Sequence, residues 1–153
     1  MFERIVIGFN RTPEAEAAFL QALELARHLK ARLFLFEALE LPVSALATVQ
    51  TLYTPWVATP EQEEFLKASE AILQEHCESA RQAGVSTEFE KRLGPVQKLL
   101  CDYAQEVGAD LIVIGHRDRS GLSEMIHSSL SNYLLHHSPV TLMVVQTPAA
   151  LQQ

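Results

Sequence analysis

The sequence predicts an α/β domain, a doubly wound five-stranded parallel sheet with helices on both faces. Three observations lead there. Short apolar runs rich in β-branched residues alternate along the chain with helical stripes. The run Leu111-Ile112-Val113-Ile114 has no polar face, and such a strand has to be covered on both sides, as strands of parallel sheets are. Five strand patterns separated by four helical ones suit right-handed crossovers that place helices on both faces.

Arg4 to Phe9 reads as a buried strand that feeds a helix through Asn10-Arg11-Thr12. Thr12 suits the N-cap and Pro13 the first helical position. Glu14 and Glu16 lie near the positive helix end, and Phe19, Ala22, Leu23, Ala26 and Leu29 share one face. Arg32 to Ala38 is the second strand. The stretch from Glu40 to Ala58, with Tyr53 and Trp56, shows no clean period and reads as a long connection. Thr59-Pro60-Glu61-Gln62 has the form of a capping box, and Phe65, Ser69, Ile72, Leu73, His76 and Ala80 continue a helical stripe up to Gly84. Val85 to Lys91 alternates weakly, as an edge strand does. Gly94-Pro95 opens a helix with Val96, Leu99, Leu100, Tyr103, Ala104 and Val107 inward, closed by Gly108. Asp110 to Gly115 is the strand expected at the centre of the sheet. A short last helix carries Leu130, Tyr133, Leu134 and His137 inward, and the strand Val140 to Val145 follows.

At 153 residues, with 48% hydrophobic and 20% charged side chains, the chain suits a single ordinary globular core. Its 12 basic against 19 acidic residues give a net charge of -7. No broad basic surface is left to neutralise a nucleic acid backbone or an anionic membrane. Any phosphate ligand then needs local help from backbone N–H groups and a few arginines. Cys77 and Cys101 have no zinc-type spacing, so both read as reduced thiols. His136 and His137 are adjacent on a helix and point in different directions, one inward and one outward, which is poor geometry for a shared ion. With no leader or membrane pattern in the sequence, the expected location is cytoplasmic.

Ligands of open α/β sheets bind beyond the carboxyl ends of strands, where the strand order reverses. That rule singles out Asn10-Arg11-Thr12 and the segment from Gly115 to Ser129. Neither a P-loop nor a Rossmann glycine pattern is present, which disfavours a kinase, GTPase or dehydrogenase. Ser128-Ser129 opens the last helix, where hydroxyls and unpaired N–H groups either cap the helix or hold a phosphate. Arg11, Arg117 and Arg119 either offset the acidic background where phosphates would lie or pair at the surface with Asp118 and Glu124.

The segments Arg4-Ile5-Val6-Ile7-Gly8-Phe9-Asn10, Ala31 to Glu37, Gly94-Pro95-Val96, Ala109 to His116 and Ser128 to Val140 together resemble the universal stress protein family over nearly the whole chain. The resemblance implies a domain over residues 1–147 with a frayed tail at 148–153, and a strand order of 3-2-1-4-5. It also implies a homodimer joined through the last strand, here Val140, Thr141, Leu142, Met143, Val144 and Val145. Nucleotide-binding members hold ATP or another adenine nucleotide through G-x2-G-x9-G-[ST], which falls here on Gly115, Asp118, Ser128 and Ser129, with Leu130 next. The resemblance makes Phe9, Ala38 and Ile114 the adenine walls. Two of the three glycines are replaced: Asp118 adds a β-carbon and a carboxylate near the expected phosphates, whereas Ser128 keeps its N–H and adds a donor. Asn10 stands where binding members carry an acid, which removes the charge that magnesium prefers.

The expected protein is therefore a dimeric stress-response regulator that binds ATP or AMP with modest affinity, with slow hydrolysis at most. The alternative is a dimer of the same fold that works through a regulatory protein partner alone.

Overall fold

Ile5-Val6-Ile7 is apolar on both sides, and the protein uses it as the middle strand of the sheet, with all three side chains at 0% exposure. The computed structural model describes residues 1–40, 58–117 and 129–147. Its elements are β1 (Arg4–Gly8), α1 (Pro13–Leu29), β2 (Arg32–Leu39), α2 (Pro60–Gln82), β3 (Thr87–Leu93), α3 (Val96–Glu106), β4 (Leu111–Arg117), α4 (Ser129–His137) and β5 (Thr141–Thr147). The five strands pair in parallel in the order β3-β2-β1-β4-β5, the predicted architecture. Tyr53, Trp56 and the tail at 148–153 lie outside the described residues.

Alternation along each strand splits the core into two layers. Ile5, Ile7, Phe9, Leu33, Leu35, Leu111 and Val113 face α1 and α2, against Ala18, Phe19, Ala22, Leu73, Cys77 and Ala80. Val6, Phe34, Phe36, Ile112 and Ile114 face α3 and α4, against Leu100, Tyr103, Ala104 and Leu134. Both helix starts read from the sequence are present. The Ala15 amide donates to the Thr12 hydroxyl at 3.2 Å. At Thr59 and Gln62 the two side chains and two amides exchange bonds of 3.2 and 3.0 Å, a complete capping box.

Three expectations need correction. β4, expected at the centre, is second from the edge beside β1; its run Leu111 to Ile114 is apolar on both sides because interior strands beside the middle one are also covered twice. The last strand runs Thr141–Thr147 instead of Val140 to Val145, set by its pairing with β4 from Leu111↔Thr141 to Arg117↔Thr147. Neither His136 nor His137 is inward: both are exposed, and His137 lies stacked on the Tyr133 ring with centroids 4.2 Å apart.

The amino end of the sheet is tied shut by Asp110, whose carboxylate accepts the Glu3 and Arg4 amides at 2.8 and 3.2 Å. The Arg4 Nε adds a bond to the Val107 carbonyl at 2.6 Å. At the carboxyl end the strand lengths differ.

Candidate functional site

β1 stops at Gly8, level with Phe36 of β2 and Ile114 of β4. β2 continues through Glu37, Ala38 and Leu39 with β3 as its partner, and β4 continues through Gly115, His116 and Arg117 with β5. The early end of the middle strand leaves a notch at the carboxyl edge, walled by β2 and β4 and floored by the turn from Phe9 to Thr12. It lies where the strand order reverses, the position at which open α/β sheets take ligands. The Phe9 amide donates to the Phe36 carbonyl at 2.8 Å, so the Phe36 peptide faces β1. Backbone direction alternates along a strand, and the N–H and C=O of Ala38 therefore face the notch.

On the floor, the Thr12 hydroxyl donates to Asn10 Oδ1 while accepting the Ala15 amide. This ties the turn down and leaves the exposed Asn10 side chain its amide nitrogen for other partners. Arg11 points to α2: its guanidinium lies 4.2 Å over the Phe65 ring, a cation–π contact. In this conformation it adds no positive charge toward α4.

Ala38, Ile114 and Leu130 belong to the same α3/α4 layer. Phe9 does not join them. Its ring belongs to the α1/α2 layer, tilted against the His76 ring at 4.8 Å, because sheet alternation sends residue 9 to the opposite face. Ser129 is exposed at the start of α4. Asp118, Arg119 and Ser128 lie outside the described residues, as does the side chain of Arg117.

Gly115 has a packing role that its local sequence does not reveal. A β-carbon there would run into the carbonyl of Glu14 in the first turn of α1. The α1 start and the β4 end are thus pressed together, and the turn after β1 and the end of β4 border one notch. One residue escaped the sequence reading. Ser131 is buried on the inner face of α4, with its hydroxyl 3.4 Å from His116 Nδ1, and so joins the start of α4 to the β4 wall. Its position three residues before the buried Leu134 is the signal that would have placed it inward.

Burial pushes the Cys77 thiol up to about 11 and raises the Tyr103 phenol, so neither supplies a nucleophile near neutral pH. Among the described residues no three His, Cys, Asp or Glu side chains gather as a metal site, and no helix is long and apolar enough to cross a membrane.

Residues 1–146 match the family model for the universal stress protein family. The chain belongs to that family. Universal stress protein Slr1101 of Synechocystis is 37% identical over 76 residues, which cover 50% of this chain and 70% of that protein. A solved universal stress protein in complex with cAMP superposes with a TM-score of 0.63 at 21% identity, covering 94% of this chain and 96% of the other. A universal stress protein family member from Arabidopsis thaliana with AMP bound gives a TM-score of 0.66 at 18% identity, covering 99% and 96%. At that level of identity the two structures establish the shared fold.

Proposed function

We propose that this universal stress protein is a regulatory module whose notch takes an adenine nucleotide carrying one phosphate, AMP or cyclic AMP. The observation that carries the reading is the early end of β1, which leaves the Ala38 N–H and C=O facing the notch, with Ala38 and Leu130 packed on the core layer that holds Ile114. One donor and one acceptor on an apolar wall match the edge of an adenine ring. The fold relatives solved with AMP and cAMP support the ligand class. ATP fits less well: a net charge of -7, Arg11 drawn onto Phe65 and Asp118 in place of glycine all oppose a triphosphate. With Asn10 at the turn and no acidic cluster among the described residues, magnesium has no evident ligand set.

Titration calorimetry with AMP, cyclic AMP and ATP, with and without magnesium, tests this. The expected result is saturable AMP binding with a Kd on the order of 10–100 μM, no gain from magnesium, and loss of binding in Ala38→Trp, which fills the notch. Asp118→Gly should tighten ATP more than AMP by removing a carboxylate beside the extra phosphates. Silence with every nucleotide would leave protein contacts as the mode of action.

The homodimer belongs to the same proposal. β5 is an edge strand whose Leu142, Met143, Val144 and Val145 are all half-buried, and such an edge pairs readily with a second copy. Val144→Lys is expected to shift the sedimentation coefficient from dimer to monomer with the far-ultraviolet dichroism unchanged. A wild type that sediments as a monomer at high concentration would remove the dimer from the proposal.

A further inference from the structure

The two halves of α2 are held by different forces. From Leu73 onward the helix is anchored by buried Leu73, Cys77 and Ala80, whereas the one buried residue before Leu73 is the polar Ser69. Phe65, the largest apolar side chain before Ile72, is 37% exposed, Leu66 is half-buried, and Ile72 packs on the core. Polar or cationic ties hold the stretch before Ile72: Arg11 over Phe65 at 4.2 Å, Lys91 Nζ donating to the Leu66 carbonyl at 3.2 Å and Glu70 at 2.9 Å, and the Ser69 hydroxyl donating to Glu37 at 2.5 Å.

Glu37 makes that last contact costly. It is 2% exposed, and its second carboxyl oxygen has no hydrogen-bond partner. A buried polar atom without a partner penalises the state that buries it, and here that state is the docked one. Lifting the first half of α2 returns the oxygen to water. Beyond Leu73, His76 fastens the helix to α1: one ring nitrogen contacts the Ile72 carbonyl at 2.7 Å and the other the Glu16 carboxylate, between the rings of Phe9 and Phe19.

We infer that the first half of α2, from Pro60 to Ala71, is a flap that undocks from the sheet edge about a joint at Ile72–Leu73, just ahead of the His76 fastening to α1, with the half-satisfied Glu37 biasing it toward opening. Undocking removes Phe65 from Arg11 and uncovers Glu37, so the flap controls a guanidinium and a carboxylate on the β2 side of the notch. The device needs no ligand and stands apart from the nucleotide reading. Detached from the sheet, this stretch loses the tertiary packing from which most helical stability in proteins comes, so undocking registers as amide exchange.

Hydrogen exchange of the whole protein, read residue by residue by NMR, tests the flap. Amides 65–71 are expected to exchange roughly 100-fold faster than amides 74–81 of the same helix. Glu37→Leu, which removes the unpaired oxygen, should slow the first set about tenfold and leave the second unchanged, and Ser69→Ala should speed the first set by a similar factor. Even protection along the helix, or a Glu37→Leu protein that exchanges like wild type, would overturn the inference. If Glu37→Leu does not fold, Ser69→Ala decides alone, and unchanged exchange at 65–71 overturns it.

Discussion

Gly115→Ala should destabilise the protein by about 3 kcal/mol or more, lowering the melting temperature by roughly 10 °C. The added β-carbon meets the backbone of α1, the Glu14 carbonyl and the Ala15 nitrogen, and a helix backbone cannot turn aside as a flexible side chain can. Relief requires α1 to move off β4 or its first turn to unwind, and that turn carries the Thr12 cap. Gly8→Ala is the internal control. Its β-carbon would sit 3.1 Å from Ile114 Cγ2 and Leu100 Cδ2, side-chain ends that can yield by a few tenths of an ångström, so its cost should stay near 1 kcal/mol. Differential scanning calorimetry of the two variants makes the comparison. Equal melting temperatures would mean that the α1 start is not wedged against β4.

That glycine also shows where the sequence stops speaking. The capping box at Thr59 and Gln62, the Thr12 cap and the Gly108 stop involve neighbours within a few residues, and all three were legible because their partners stand beside them in the chain. The strand order was implied by the family resemblance. The place of the notch follows from the strand-order rule, but its shape does not, since it depends on β1 ending at Gly8 while β2 and β4 continue, and strand ends are set by pairing partners. Layer assignment failed for the same reason at Phe9: the family motif places residue 9 at the site, but alternation sends its ring to the α1/α2 side. The resemblance places Gly115 in the nucleotide motif, and the structure gives that glycine a close approach to Glu14, a contact between residues about a hundred positions apart. Glu37 was passed over as part of an apolar run, because nothing local reveals that one of its oxygens ends in the core unpaired.

Stability should fall as pH rises above about 9, more steeply than lysine titration at the surface would cause. The reason is two weak acids held protonated by burial in opposite layers. Cys77, 1% exposed between α1 and α2, is raised from 9.0 to about 11 chiefly by burial, with Glu88 adding to the rise and Arg81 opposing it. Tyr103, 4% exposed and stacked on Phe36 at 4.8 Å, is raised from 10.0, again chiefly by burial. In the unfolded chain the thiol and the phenol release their protons near pH 9 and 10, while the folded protein keeps them. Above pH 9 the unfolded state thus binds fewer protons, and the free energy of unfolding declines with pH. The stabilisation is complete below pH 9 and is lost as the pH climbs through the folded values. Cys77 contributes on the order of 1–2 kcal/mol between pH 9 and 11 once solvent screening is allowed for, and Tyr103 adds to the slope above pH 10. Urea denaturation at half-unit steps from pH 7 to 11 measures it. Cys77→Val should flatten the decline between pH 9 and 10, and Tyr103→Phe, which keeps the ring on Phe36, should flatten it above 10. A Cys77→Val profile parallel to wild type would mean that water already reaches the thiol between α1 and α2, and that this layer is looser than its packing implies.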